Sequence, residues 1–221
     1  MKLRTALALS ISALSTIALT AHAEDSGWYV LGSIGQSRFD IKKNVFDEEL
    51  AGVGFQSTSS SLDRSDTGYK LQVGYQFTPN FALEGGYIDF GEFTHKANGT
   101  VFVQPVGIVN AYSKTTGKLD GWSVSGVGIL PLNNFSLFAK LGLIVAKLDV
   151  KSTAGTNGFS YSESDDETKT KALLGLGAGY AFNEHIGVRI EWDRLINSGN
   201  DNSDSDLGDI DLLSAGISYK F

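Results

Sequence analysis

Apolar residues recur at every second position through much of this chain, and the clearest instance is residues 209–221. Leu213, Ala215, Ile217, Tyr219 and Phe221 share one face there, while Leu212, Ser214, Gly216, Ser218 and Lys220 share the other. A period of two marks a strand, and one apolar face backed by a small or charged one marks two different surroundings. A last strand ending on Tyr219-Lys220-Phe221 suits a barrel that must close on its first strand, because lipid tolerates no open sheet edge. The pattern predicts strands that cross a membrane.

Seven further segments carry the same signal. Residues 27–39 place Trp28, Val30 and Ile34 outward and Ser33, Gly35 and Ser37 inward. Residues 68–77 alternate Tyr69, Leu71, Val73, Tyr75 and Phe77 with Gly68, Lys70, Gln72, Gly74 and Gln76. In 81–90, Phe81, Leu83, Gly85 and Tyr87 share a face, which sends Glu84 to the other. The pattern slips in 118–129, where Trp122 and Val124 have one parity and Val127 and Ile129 the other; a bulge near Ser125-Gly126 and a mixed face explain it equally. Residues 135–150 set Phe135, Leu137, Leu141, Leu143 and Val145 outward and Lys140 inward. Residues 168–182 put Leu174, Leu176, Tyr180 and Phe182 opposite Lys171, Leu173, Gly175, Gly177 and Gly179. After Asn183-Glu184, Ile186, Val188, Ile190 and Trp192 alternate with Gly187, Arg189, Glu191 and Asp193.

The connections alternate between tight and long. Tight turns are expected at Thr78-Pro79-Asn80, at 130–134 and at Asn183-Glu184, where Pro and Asn supply turn conformations a ladder cannot use. Segments 40–66, 91–117, 151–167 and 195–208 read as long extracellular loops, the second with some hairpin extension around an apolar run broken by Pro105. Strands of about ten residues rise about 33 Å, which tilt reduces to the thickness of a hydrocarbon layer. The expected fold is all-β: an eight-stranded antiparallel up-and-down transmembrane β-barrel. A soluble barrel of lipocalin type would reverse the faces, exposing Glu84, Lys140 and Arg189 and leaving the outward Tyr and Phe without a role.

The N-terminus supports export. Lys2 and Arg4 precede an apolar run, and Ala21-His22-Ala23 leads to Glu24, so residues 1–23 are expected to be a signal peptide and 24–221 the barrel. No stretch offers the roughly 18 apolar residues of a spanning helix. The absence of Cys excludes disulfides, thiol catalysis and thiolate metal sites. The net charge of −7 becomes −9 without the signal peptide, which holds two of the 18 basic residues and none of the 25 acidic ones. That balance excludes nucleic acid as a partner.

Parity sends Glu84, Lys140, Lys171, Arg189 and Glu191 into the lumen. An eight-stranded lumen is about wide enough for side chains to fill, so no wide channel follows. Other chemistry is sparse. The expected mature chain has two histidines, His95 in a loop without an obvious partner and His185 beside a turn, which argues against a hydrolase triad. Gly175-x-Gly177-x-Gly179 ends in Tyr180 and no helix follows, so alternate luminal glycines explain it better than a nucleotide loop. The acidic runs Glu163, Asp165, Asp166, Glu167 and Asp201, Asp204, Asp206 lack the spacing of a calcium hand and read as solvated loops, with cation bridging to lipopolysaccharide as the sharper alternative.

The chain also resembles the OmpA-like transmembrane domain of outer-membrane proteins. The matching stretches are Gly27-Trp28-Tyr29, Gly74-Tyr75-Gln76, Glu84 with Gly86-Tyr87, Lys140-Leu141-Gly142, Arg189-Ile190-Glu191 and the terminal 213–221, the last being the most specific. The resemblance implies a monomeric eight-stranded barrel with luminal ion pairs, in which Glu84 and Arg189 match a pair that acts as a constriction. The positions of a second pair fall near Val127 and Gly179, and that of a luminal Lys near Ser33, so a looser lumen is expected. The peptidoglycan-binding domain that many members carry after the barrel is expected to be absent. The sequence reading is thus an outer-membrane barrel, without cofactor, metal or catalytic residue, that serves envelope integrity and meets extracellular ligands through four loops. Its other partners are membrane lipids and lipopolysaccharide. A narrow gated pore for ions or small solutes is the alternative, and a lipid-modifying enzyme a weaker one.

Overall fold

The computed structural model describes residues 26–41, 43–52, 54–156, 158–196 and 208–221. The expected signal peptide and the loop carboxylates Asp201, Asp204 and Asp206 lie outside them. Among the described residues nine strands and one helix follow in order: β1 (Gly27–Phe39), α1 (Lys43–Gly52), β2 (Gln56–Asp63), β3 (Ser65–Thr78), β4 (Phe81–Val103), β5 (Gly107–Leu132), β6 (Phe135–Thr156), β7 (Phe159–Ala181), β8 (Ile186–Ile196) and β9 (Ile210–Lys220). Eight of them, β1 and β3 to β9, close an antiparallel ring in which each pairs with its sequence neighbour. β9 completes it against β1, with Ile34 opposite Ala215 on one side and Tyr69 on the other.

The faces follow the predicted parity. Leu71, Leu141 and Ile217 are each about two-thirds exposed and belong to a continuous outward belt that no soluble protein would leave bare. Aromatic contacts edge the belt at the tight-turn end, among them Trp28 with Tyr75, Phe135 with Tyr180 and Tyr219 with Phe221. Tyr87 and Trp122, opposite one another, mark the other rim. Such paired girdles suit the two interfaces of a bilayer. No described helix is long and apolar enough to cross a membrane. The ambiguity in the fourth expected strand resolves without a bulge: β5 pairs with β6 in unbroken register, and Val127 and Ile129 point inward to pack with Tyr29, Ala82 and Phe138.

Beyond the Tyr87–Trp122 rim the chain departs from expectation. Most of 91–117 and 151–167 is not loop, because β4 to β7 continue as two long hairpins, β4 running to Val103 before β5 starts at Gly107 and β6 to Thr156 before β7 starts at Phe159. Apart from the stretch of β4 that α1 covers, both faces meet water there, so no sustained apolar period signals the strands. A bulge between Asp89 and Glu92 also flips the parity of β4. Gly91 takes φ +77 within it, the Asp89 carboxylate accepts its N–H at 2.7 Å, and Asp66 accepts that of Glu92 at 2.8 Å. Segment 40–66 is likewise structured. It forms α1, closed by Gly54 at φ +80 in a Schellman turn, and then β2, which pairs with the free edge of extended β4. A five-stranded sheet, ordered β2-β4-β5-β6-β7, therefore stands on the barrel.

Inside the barrel two apolar clusters bracket the polar lumen. The smaller surrounds Tyr29, Val127 and Phe138 toward the tight turns. The larger fills the outer half with Phe39, Ile88, Phe90, Ile144, Leu173 and Leu212, and Phe46 of α1 packs on it from above.

Candidate functional site

Six charged side chains meet between those clusters. Arg189, Glu191 and Asp193 come from alternate positions of β8, Lys140 from β6, Glu84 from β4 and Lys70 from β3. Arg189 Nη1 donates to Glu84 Oε1 at 2.5 Å, and the Tyr29 hydroxyl donates to the same oxygen at 2.7 Å. Lys140 Nζ lies 2.8 Å from Glu84 Oε2 and also pairs with Glu191. Lys70 Nζ bridges Asp193 Oδ2 at 2.5 Å and Glu191 Oε2 at 3.2 Å. The Arg189 guanidinium lies over the Phe138 ring, 3.9 Å from its centroid. Three cations thus balance three carboxylates, all but Arg189 almost wholly shielded from solvent. That balance is the condition under which charges survive burial.

Small residues make the room. A side chain on Gly175 would press on Asp193 and Lys140, and one on Gly177 would collide with Phe138. The glycine alternation on β7 is thus the space the network occupies, not a ligand loop.

Inward parity alone does not place a residue in this network. Lys171 faces inward opposite Ile144, on the far side of Leu173, so it stands apart from the other charges. Nor do the neutral residues at the positions set by the resemblance leave this level of the lumen without cations. Val127, Gly179 and Ser33 carry no charge, yet their cross-strand partners are Lys140, Arg189 and Lys70. At two of these places the expected cation is supplied by the neighbouring strand at the same level, because cross-strand positions reach the same point in the lumen. Parity places Lys70 and Asp193 inward but names no partner for them; their bond joins residues 123 positions apart. Tyr29 carries the same signal, sharing parity with Ser33.

Toward the tight turns a cavity of about 480 Å³ opens below the network, bounded by Tyr29, Val127, Phe138, Arg189, Gln76 and Lys220. Toward the outside, the Phe39–Leu212 cluster closes the lumen. The arrangement can hold two seals in series, one ionic and one apolar.

His95, expected in a loop without a partner, is instead a buried residue of β4. Its Nε2 lies 3.0 Å from Ser60 Oγ and 3.5 Å from Asp47 Oδ1, while Ser60 donates to Asp47 at 2.6 Å and Phe46 stacks on the ring at 4.8 Å. The serine proton is directed at the carboxylate, and the imidazole lies beneath the helix. The group docks α1 on the sheet.

Comparison with known proteins agrees with this geometry. The OmpA-like transmembrane domain profile matches residues 23–221. Outer membrane protein A of Klebsiella pneumoniae is 27% identical over 92% of this chain, which spans 53% of that protein's length. An uncharacterized protein of Coxiella burnetii is 25% identical over 89% of this chain and 86% of its own. Among solved structures, the N-terminal β-barrel domain of Pseudomonas aeruginosa OprF is 14% identical, with a TM-score of 0.46, over 88% of this chain and 98% of that one. With the profile running from before the first strand to the end of the last, this chain belongs to the OmpA-like transmembrane domain family and is an integral β-barrel of the outer membrane.

Proposed function

We propose that the protein is a plugged barrel that contributes to envelope integrity and presents its extracellular sheet as an interaction surface, with no enzymatic activity. The observation that carries this reading is the filled lumen: Phe39, Ile88, Phe90, Ile144, Leu173 and Leu212 are fully buried above a charge network that is itself neutral. A solute crossing would have to displace both. The barrel pairs all its own edges, which supports a monomer. Its outward belt meets membrane lipid and lipopolysaccharide. The Ser60–His95–Asp47 group supports docking of a helix better than hydrolysis, since the imidazole is buried under Phe46.

A narrow gated pore is the second reading, and one contact favours it. Lys140 touches Glu84 as well as Glu191, so Glu84 would keep a cation if Arg189 swung toward the cavity. Single-channel conductance of the refolded protein in a planar bilayer separates the two readings. Silence is expected from wild type and from Glu84→Ala. Discrete openings in wild type, altered by that substitution, would overturn the plugged reading.

A further inference from the structure

The extracellular sheet is electrically two-faced. β7 carries Glu163, Asp165 and Glu167 on the face that continues the lumen, in register with Ser152, Val150 and Leu148 of β6. The opposite face continues the outer wall of the barrel. Lys96 and Lys114 stand directly across from each other on β4 and β5, and Lys151 of β6 lies one row nearer the membrane, opposite Thr116. All three are exposed, and none forms an ion pair among the described residues. Like charges directly opposite on a sheet destabilise it. The cations closer to the membrane differ, since Lys118 pairs with Asp89 at 3.0 Å and Lys147 with Asp149 at 2.6 Å. The carboxylates nearest to Lys151 on this face are Asp149, two residues along β6, and Asp166, opposite Asp149 on β7, and both already face Lys147; Asp63, on the edge strand opposite Thr94, is the one nearest to Lys96.

We propose that this face binds an anionic saccharide, the phosphate- and carboxylate-bearing core of the lipopolysaccharide around the barrel. Charge complementarity selects an anion, because three uncompensated ammonium groups stand together on a protein of net charge −7. The surroundings select a sugar. Hydroxyls flank the lysines, with Thr94 and Thr116 3.5 Å apart and Thr153 and Ser162 3.2 Å apart, and the surface is an open sheet. Lysines on flexible stems suit anionic groups scattered along a chain better than one planar group. Height selects the source: Lys114 lies eight residues above Trp122, roughly 26 Å along the strand and about 20 Å above the aromatic rim at the usual tilt. That is above the lipid headgroups, in the sugar layer.

The proposal deepens the surface role proposed above, but its test reads binding and not conductance, so the two fail separately. Full-length protein refolded into neutral lipid vesicles is titrated calorimetrically with de-acylated, phosphate-bearing core oligosaccharide, using samples whose migration on unheated gels shows them folded. Wild type should bind, more weakly as salt rises. Lys96→Gln/Lys114→Gln/Lys151→Gln should lose at least tenfold in affinity, and the dephosphorylated oligosaccharide should lose as much on wild type. Glu163→Gln/Asp165→Asn, on the other face, should stay within twofold. No binding by wild type, or undiminished binding by the lysine variant, would overturn the site. Preference for heparin by tenfold or more would overturn the source.

Discussion

The two halves of this lumen solve one problem by opposite means. Above the small Tyr29–Phe138 cluster and its cavity, the inner half is occupied by six charges, each held by partners on other strands; toward the outside the barrel is filled by Phe39, Ile88, Phe90, Ile144, Leu173 and Leu212. The charged half is specific in its pairing and intolerant of losing a single partner. The apolar half depends on volume and shape, and its tolerance is graded. A narrow barrel therefore need not be polar throughout, provided that its polar part is internally neutral.

The sharpest way to break this comparison is to remove one charge. Lys140→Ala leaves Glu84 and Glu191 short of a buried cation and should cost about 3–5 kcal/mol, read from urea unfolding in vesicles by tryptophan fluorescence. Removing both partners of a neighbouring pair, Lys70→Met with Asp193→Leu, should cost less than Lys70→Met alone. A double variant as unstable as the sum of the singles would show that the charges act independently. Phe90→Ala in the apolar half should cost about 3–5 kcal/mol if the cavity stays empty. Refilling separates the halves, since Phe90→Leu should restore most of that loss, whereas Lys140→Met should restore little.

The smallest effect lies outside both halves. Lys118→Gln removes a pair whose lysine is nearly half exposed and should cost under about 1 kcal/mol. The Asp89 carboxylate holds the Lys118 ammonium above its ordinary pKa. The pair's contribution is accordingly full below the ordinary lysine range and lost as pH rises through the raised value. Unfolding of wild type and Lys118→Gln should converge at high pH.

Much of this was legible in the sequence, for a reason visible strand by strand. Between lipid and lumen, period two survives, so Leu71 and Gln72 or Leu141 and Lys140 declare their sides. Parity assigns a side and not a height: Lys171 and Lys140 both read as luminal, and only the register shows Leu173 between Lys171 and the network. Partnership across the lumen is equally hidden, because the Lys70–Asp193 bond depends on how far the ring is sheared. Above the rim the lipid disappears and the signal with it. The Gly91 bulge then inverts parity, and β2 with its run of serines offers no apolar face at all. The lysine face emerges only once β4, β5 and β6 are in register.

The pairing of β1 with β9 sets a constraint in time as well as space. Ile34 meets Ala215 across almost the whole length of the barrel sequence, so the ring's final seam is also its contact of longest range. Loop closure over that separation must be met before any of its hydrogen bonds form, which makes completion of the cylinder a late and slow event. Until then both terminal strands offer unpaired edges, and a chain waiting in the aqueous space before insertion needs something else to cover them.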